Sequence, residues 1–225
     1  MKCELRSRLQ VMAEPDYRDF SAALIPGCNN MLGIRIPALR ALAKELLRSD
    51  WQALLAESDE TYEEVMLRGF LIAGAKLTDE VRMTLIRDFV PRIENWSVCD
   101  CFCASLRCMK QKPDVWWPFL AEYAASDAEF PIRFSVVCML DHYLDTPYLP
   151  QVLTCLTDLN HPGFYVHMAV AWALATAYTR DSRAVTEILR SHRLGAETHR
   201  LCIQKLVDSR RVPDGDKDML RSLRR

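Results

Sequence analysis

The sequence predicts an all-α fold built from repeated helix pairs, and three observations support this prediction. The 225 residues include only seven glycines, fewer than a sheet protein with many tight turns would use. Half of the residues are apolar, which is enough to bury a large core. Helix signals recur along the whole chain, and helices are expected to begin near residues 61, 96, 130, 163 and 196.

A two-helix unit that repeats every 33 to 35 residues is typical of an α-α superhelix, in this case a HEAT-like or armadillo-like solenoid of antiparallel helix pairs. No linker rich in serine, glycine and proline divides the chain. We therefore expect a single HEAT-like-repeat domain over residues 1–225. Residues 1–60 would form N-terminal helices and residues 61–225 five helix pairs.

Local signals place the individual helices. Pro37 lies near the first turn of one helix, where its missing N–H costs little. Thr61 and Glu64 form a capping box at the start of another helix. Pro26-Gly27 should end the helix expected over 16–25. The expected helices cover 2–13, 16–25, 37–49, 51–57, 62–76, 79–93, 96–110, 114–126, 131–144, 147–158, 164–179, 182–192, 196–208 and 214–223.

Charge is nearly balanced overall but uneven along the chain. The net charge of −1 excludes a polycation that coats nucleic acid through its total charge. Residues 113–179 carry a net charge of −6 and contain a single basic residue, Arg133, whereas residues 180–225 carry +5. The C-terminal end is therefore the part of the chain expected to meet a phosphate backbone.

Nine cysteines without a secretory signal predict a reduced, cytoplasmic protein, and no apolar run is long enough to span a membrane. Cys99, Cys101 and Cys103 suggest a metal site at first sight. Side chains two residues apart point about 200° from one another around a helix, so these thiols do not converge on one ion. Phosphate-binding glycine loops and HExxH or GxSxG motifs are absent from the sequence.

Four polar or aromatic residues stand in otherwise small and apolar helices. Trp96 and Asp100 are four residues apart and share one helix face. Arg133 is expensive to bury alone, so it either pairs with a nearby aspartate or contacts a phosphate. Trp172 fits a core position or a ligand platform. The aspartates considered as partners of Arg133 are Asp100, Asp127 and Asp141.

Five segments together resemble the DNA alkylation repair proteins of the AlkD type, which are bacterial HEAT-like-repeat DNA glycosylases. The resemblance runs from about Leu32 to Arg211. No segment is specific alone, but their order and their positions on the helices match. The segments are LGIRIPALR at 32–40, YEEV at 62–65, NWSVCD at 95–100, IRFS at 132–135 and VAWAL at 170–174.

The resemblance implies a catalytic surface formed by Trp96, Asp100, Arg133 and Trp172. It also implies a substrate, double-stranded DNA that carries cationic N3- or N7-alkylated purines, and no metal or organic cofactor. We expect a monomer without membrane contact. The residues expected to bind the DNA are Lys205, Arg210, Arg211, Arg107 and Arg68.

Two functional hypotheses follow. In the first, the chain is an AlkD-like glycosylase in which Asp100 is catalytic. In the second, it keeps the fold but acts as a catalytically inactive scaffold that binds DNA weakly or binds a protein. The Trp/Asp/Arg/Trp set favours the first, and the break at Pro26-Gly27 favours the second. The break matters because active members of the family carry an uninterrupted helix at this place.

Overall fold

The computed structural model describes residues 2–224, and these residues form fifteen α-helices and no strand. The predicted all-α fold is therefore confirmed. The helices are α1 (Lys2–Met12), α2 (Pro15–Leu24), α3 (Ile36–Leu46), α4 (Trp51–Ala56), α5 (Tyr62–Gly74), α6 (Asp79–Phe89), α7 (Trp96–Ser105), α8 (Cys108–Gln111), α9 (Pro113–Ala124), α10 (Glu129–His142), α11 (Leu149–Asp158), α12 (Phe164–Ala177), α13 (Ser182–Arg190), α14 (Ala196–Asp208) and α15 (Asp214–Ser222). None of the helices within 2–224 is both long and apolar enough to cross a bilayer.

Two expected helices are each split in the structure. The helix expected over 79–93 ends at Phe89 and continues as a 3₁₀ turn, Val90–Arg92, because Pro91 has no N–H for the helical ladder. The helix expected over 96–110 ends at Ser105, and α8 follows after Leu106. Side-chain bonds compete with the ladder at this end, since Ser105 Oγ donates to the Cys101 carbonyl at 2.6 Å.

The helices divide into two compact units between Leu106 and Arg107. In the first unit, α5 packs against α3 on one side and α7 on the other, and α4 and α6 also contact α5. In the second unit, α12 packs against α10 and α14, and α9, α11 and α13 contact this row. Alternate helices thus form a row in each unit, as repeated helix pairs predict. The single domain over 1–225 stays a prediction.

The rows of alternate helices explain the sequence period. The first residues of the row helices from α5 onward are 32 to 35 residues apart, which is the spacing expected from the sequence. In α10, residues 132–139 are all buried, and α12 is equally apolar around its circumference. A helix that is apolar on every face is a core helix, so polar or exposed side chains on α10 and α12 require a separate explanation.

A cluster of buried charges ties α1 to the start of α5. Lys2 Nζ lies 2.8 Å from Asp59 Oδ1, and both side chains are almost fully buried. The guanidinium of Arg68 also pairs with Asp59 and donates to the carbonyl oxygens of Leu55 and Glu57, at 2.8 and 2.7 Å. Removing one member of a buried cluster leaves its partners uncompensated, so this cluster is a sensitive point of the fold.

We expect Asp59→Asn to lower the free energy of unfolding by about 3 kcal/mol, because two buried cations lose their shared carboxylate. Urea unfolding at pH 7 measures this loss. Glu187→Gln is the control, since Glu187 forms an exposed pair with Arg183 and its loss should change stability little. Equal effects of the two substitutions would contradict the role assigned to the cluster.

The same cluster predicts a pH dependence. Burial raises the pKa of Asp59, but hydrogen bonds from Arg68 and Lys2 outweigh burial and hold the pKa below its usual value. A carboxylate with a lowered pKa stabilises the folded state at neutral pH, and this contribution is lost as the pH falls below about 4. Wild-type stability should therefore fall more steeply in this range than that of Asp59→Asn in matched urea titrations.

Candidate functional site

The first unit places Trp96 and Asp100 on α7. Asn95 begins the helix by accepting a hydrogen bond from the Val98 backbone N–H at 2.9 Å. Trp96 is the first helical residue, and Asp100 follows one turn later on the same face. Both side chains are half-buried, whereas the intervening Val98 and Cys99 are fully buried. The structure thus presents a carboxylate and an indole on the accessible face of an otherwise apolar helix.

The neighbouring residue Cys101 shows the electrostatic effect of Asp100. Burial raises the pKa of the Cys101 thiol, and the charge of Asp100 raises it further, whereas Arg40 opposes the shift. Arg40 also donates to Ser105 Oγ at 2.8 Å and lies 4.3 Å from the centre of the Phe70 ring. The charge of Asp100 therefore acts on a neighbouring group across the edge of the core.

Helix α5 positions the first turn of α7 through Tyr62. Its hydroxyl lies 2.7 Å from Ser97 Oγ, and burial is the main cause of its raised pKa. Tyr62 therefore stays protonated and serves as a fixed hydrogen-bonding group beside Trp96. Sequence reasoning did not assign this role to Tyr62, and the one signal for it was a tyrosine at the start of a helix that has few other polar residues.

Glu63, the residue after Tyr62, was also missed. Its fully buried carboxylate accepts hydrogen bonds from the backbone N–H groups of Leu32, Gly33 and Ile34, at 2.8 to 3.2 Å. Gly33 adopts φ +88°, which a side chain would strain. The carboxylate thus holds the turn that leads into α3, and the sequence offers only a second glutamate, between Thr61 and Glu64 of the capping box, as a signal for it.

The break expected at Pro26-Gly27 is present. Helix α2 ends at Leu24, and Gly27 has φ +83°. The Leu24 carbonyl accepts a hydrogen bond from Trp96 Nε1 at 3.1 Å. The end of α2 therefore contacts one of the residues expected to act on the substrate, and the indole N–H is already occupied.

The second unit places Arg133 on α10. Arg133 is 5% exposed, and its guanidinium donates from Nη1 to the Tyr165 carbonyl at 2.9 Å, with the Tyr165 ring centre 5.8 Å away. Arg133 therefore joins α10 to the first turn of α12. A guanidinium held in this way has a defined direction, which is a requirement both of a structural residue and of one that binds phosphate.

Trp172 lies on α12 and is 37% exposed, although Ala171 and Ala173 beside it are fully buried. Of the two positions considered for Trp172, the structure matches the accessible one. An exposed indole on a core helix offers a flat apolar surface to a ligand.

The basic residues expected to contact DNA differ in accessibility. Arg107, Arg210 and Arg211 are exposed, and Arg211 donates to Thr179 Oγ1 at 2.8 Å. Lys205 on α14 is half-buried; burial lowers its pKa, and the charge of Arg133 lowers it further. Lys205 and Arg133 therefore place two cations in one region of the second unit.

Arg68 differs from the expectation. Its side chain is buried in the charge cluster of the first unit, and its guanidinium bonds to Asp59, Leu55 and Glu57. A phosphate could reach it only if these bonds broke. We therefore leave Arg68 out of the proposed DNA surface. The sequence predicted a DNA contact because it shows the charge of Arg68 but not the groups that bind it.

Metal ligands are not grouped in the described part of the chain. No cluster of three or more histidine, cysteine, aspartate or glutamate side chains is arranged to hold an ion within residues 2–224. Cys99 and Cys103 are buried among apolar side chains and Cys101 is half-buried. They fit the packing role expected from their spacing.

The chain matches one known family. Residues 5–205 match the family model described as DNA alkylation repair enzyme. No curated protein matches the chain. Since the match covers most of the 225 residues, the chain belongs to the DNA alkylation repair enzyme family.

We expect Glu63→Gln to lower the free energy of unfolding by about 2 kcal/mol, because the amide nitrogen that replaces Oε2 would face a donor, the Leu32 N–H, and the bonds to Oε1 would lose the charge of the acceptor. Urea unfolding gives the value. Glu60→Gln is the control, since Glu60 is exposed and pairs only at the surface with Arg6. If the urea midpoint of unfolding is the same for Glu63→Gln as for the wild type, the carboxylate does not hold the turn.

Proposed function

We propose that this chain is a DNA-repair glycosylase of the AlkD type, which removes cationic N3- or N7-alkylated purines from duplex DNA. The observation that carries the proposal is the half-buried carboxylate of Asp100 on α7, one turn from the indole of Trp96. Membership of the DNA alkylation repair enzyme family supports the substrate class.

A single carboxylate is sufficient for this reaction because the leaving base is already cationic. The bond between the sugar and the base breaks, and its electron pair neutralises the base without a general acid. The sugar then carries oxocarbenium-like positive charge. Asp100 would stabilise this charge or orient the water that adds to the sugar, and the proton of that water would pass to the solvent.

The other expected residues would bind the DNA around this step. The indole of Trp96, on the same helix face as Asp100, would attract the cationic sugar through its ring face, an effect of about 1–2 kcal/mol when desolvated. In the second unit, the exposed indole of Trp172 would offer a ring face of the same kind to the DNA. Lys205, which is half-buried, would bind a backbone phosphate, because an anion relieves the repulsion between its charge and that of Arg133. Arg133 is itself 5% exposed and bonded to the Tyr165 carbonyl, so it would attract the phosphate through its charge unless that bond is exchanged. Arg107, Arg210 and Arg211 would extend the contact with the backbone.

A second candidate function is supported by one observation. Helix α2 ends at Leu24, and the Leu24 carbonyl occupies the N–H of Trp96. If this hydrogen bond never opened, the chain would be the inactive scaffold, which binds DNA weakly or binds a protein and excises no base. Excision by the wild-type protein distinguishes the two candidates.

The purified wild type should release 7-methylguanine from duplex DNA, and Asp100→Asn should reduce single-turnover excision by about 10²–10³-fold, because the neutral amide cannot stabilise the developing charge. Asp88→Asn is the control, as Asp88 is an exposed aspartate on α6 of the same unit. Thermal unfolding confirms that the variants are folded. A folded wild type without excision would refute the glycosylase and leave the scaffold.

Reversal of charge at Arg210 and Arg211, with Lys205→Gln, should weaken binding to unmodified duplex DNA and flatten its salt dependence. Each lost phosphate contact reduces the slope of log affinity against log salt by about 0.9. Fluorescence anisotropy at salt concentrations between about 50 and 200 mM measures both effects. Arg190→Glu is the control, since Arg190 is an exposed cation on α13 outside the proposed surface. An unchanged slope in the triple variant would contradict this placement.

A further inference from the structure

Helix α2 and the residues after it cover the indole of Trp96. The Leu24 carbonyl accepts the Trp96 N–H, and a cavity of about 110 Å³ lies between the two elements. Phe20, Ile25 and Tyr62 are among the residues that line the cavity. A ligand that approaches this side of Trp96 therefore contacts α2 before it contacts the indole. The cavity shows that α2 is not tightly packed against Trp96.

The contact between α2 and the rest of the first unit is weak. None of the ten residues of α2 is buried, and Phe20 and Leu24 are 63% and 53% exposed. Ile25, which follows the helix, is 4% exposed and anchors its C-terminal end. A helix without a buried side chain gains little from packing, so it opens at low cost relative to global unfolding.

The N-terminal end of α2 is attached to the Gly33 turn. The Glu14 N–H donates to the Gly33 carbonyl at 3.2 Å, and the Glu14 carboxylate pairs with Arg35 at the surface. Arg35 also lies 4.6 Å from the centre of the Tyr17 ring. A Cβ at Gly33 would lie 2.5 Å from the Glu14 carbonyl oxygen, so only glycine permits this attachment.

The charge of α2 is unfavourable for DNA. Residues 14–24 contain Glu14, Asp16 and Asp19 and a single cation, Arg18, which pairs with Asp19. A phosphate backbone near Trp96 would be repelled by a segment of net charge −2. DNA binding should therefore disfavour the arrangement in which α2 covers Trp96.

We propose that residues 14–25 form an autoinhibitory strap that covers Trp96 in the free protein and moves away when duplex DNA binds. In the covering position the strap is held by its contacts with the Gly33 turn and by the buried side chain of Ile25, and opening releases the residues between them. The chain can bend at Gly27, which has φ +83° and where a Cβ would meet no atom within 4 Å. The inference rests on the proposed function in one respect, that Trp96 belongs to the surface that contacts DNA.

An equilibrium of this kind reduces the apparent affinity for DNA by the fraction of molecules in which the strap is open. Variants that weaken the strap should expose Trp96 without DNA and bind duplex DNA more tightly. Tyr17→Ala removes the ring beneath Arg35 and a half-buried cavity wall, and Gly33→Ala displaces Glu14. Gly195→Ala is the matched control, because a Cβ there meets nothing within 4 Å.

The first measurement is site-resolved hydroxyl-radical footprinting of Trp96 in the free proteins. Oxidation of Trp96 should rise in Tyr17→Ala and Gly33→Ala and stay at the wild-type level in Gly195→Ala. Hydrogen exchange of Trp96→Phe gives an independent result, since loss of the indole N–H should speed exchange of the α2 amides by about threefold or more. If Gly33→Ala does not fold, Tyr17→Ala and Trp96→Phe still decide the question.

The second measurement is affinity for unmodified duplex DNA. Tyr17→Ala should bind about three- to tenfold more tightly than wild type or Gly195→Ala. Unchanged Trp96 oxidation in Tyr17→Ala, or increased oxidation without tighter binding, would overturn the strap. Tighter binding and higher oxidation without excision in any variant would support the strap and refute the glycosylase, so the two proposals fail separately.

Discussion

The buried carboxylate of Glu63 is the interaction on which the arrangement around Trp96 in the first unit depends. By accepting three backbone N–H groups it holds the turn at Gly33, from which α3 begins and to which Glu14 attaches α2. The adjacent Tyr62 holds Ser97 at the start of α7. One short segment of α5 therefore positions both Trp96 and the helix that covers it.

The near-neutral net charge is a poor measure of what this molecule presents to DNA. Several cations are used internally, because buried carbonyl groups at helix ends need donors. Arg82 donates to the carbonyls of Ala73 and Ala75 at the C-terminal end of α5, and Arg68 is enclosed in the charge cluster. By contrast, Arg210 and Arg211 remain at the surface. The distribution of charge, and not its sum, decides where a phosphate backbone can bind.

Sequence-based predictions were confirmed where a local signal exists and missed where partners are distant. Helix starts were accurate at positions such as the Thr61–Glu64 capping box, which forms both of its hydrogen bonds. The end of α7 was missed, because it depends on side-chain bonds at Ser105 and not on a proline or glycine. The roles of Glu63 and Arg68 were missed because their partners lie in other segments of the chain.

The sequence by itself determined the helix content, the period of the repeat, the break at Pro26-Gly27 and the order of the residues that resemble an AlkD-type site. The helix content, the repeat and the break depend on local propensity and on apolar spacing, which act over a few residues, whereas the site residues follow from the family resemblance. Only the tertiary structure decided that Arg68 is enclosed, that Trp172 is exposed and that Leu24 contacts Trp96. Burial and hydrogen-bond partners arise between residues distant in sequence, and a linear pattern does not contain them.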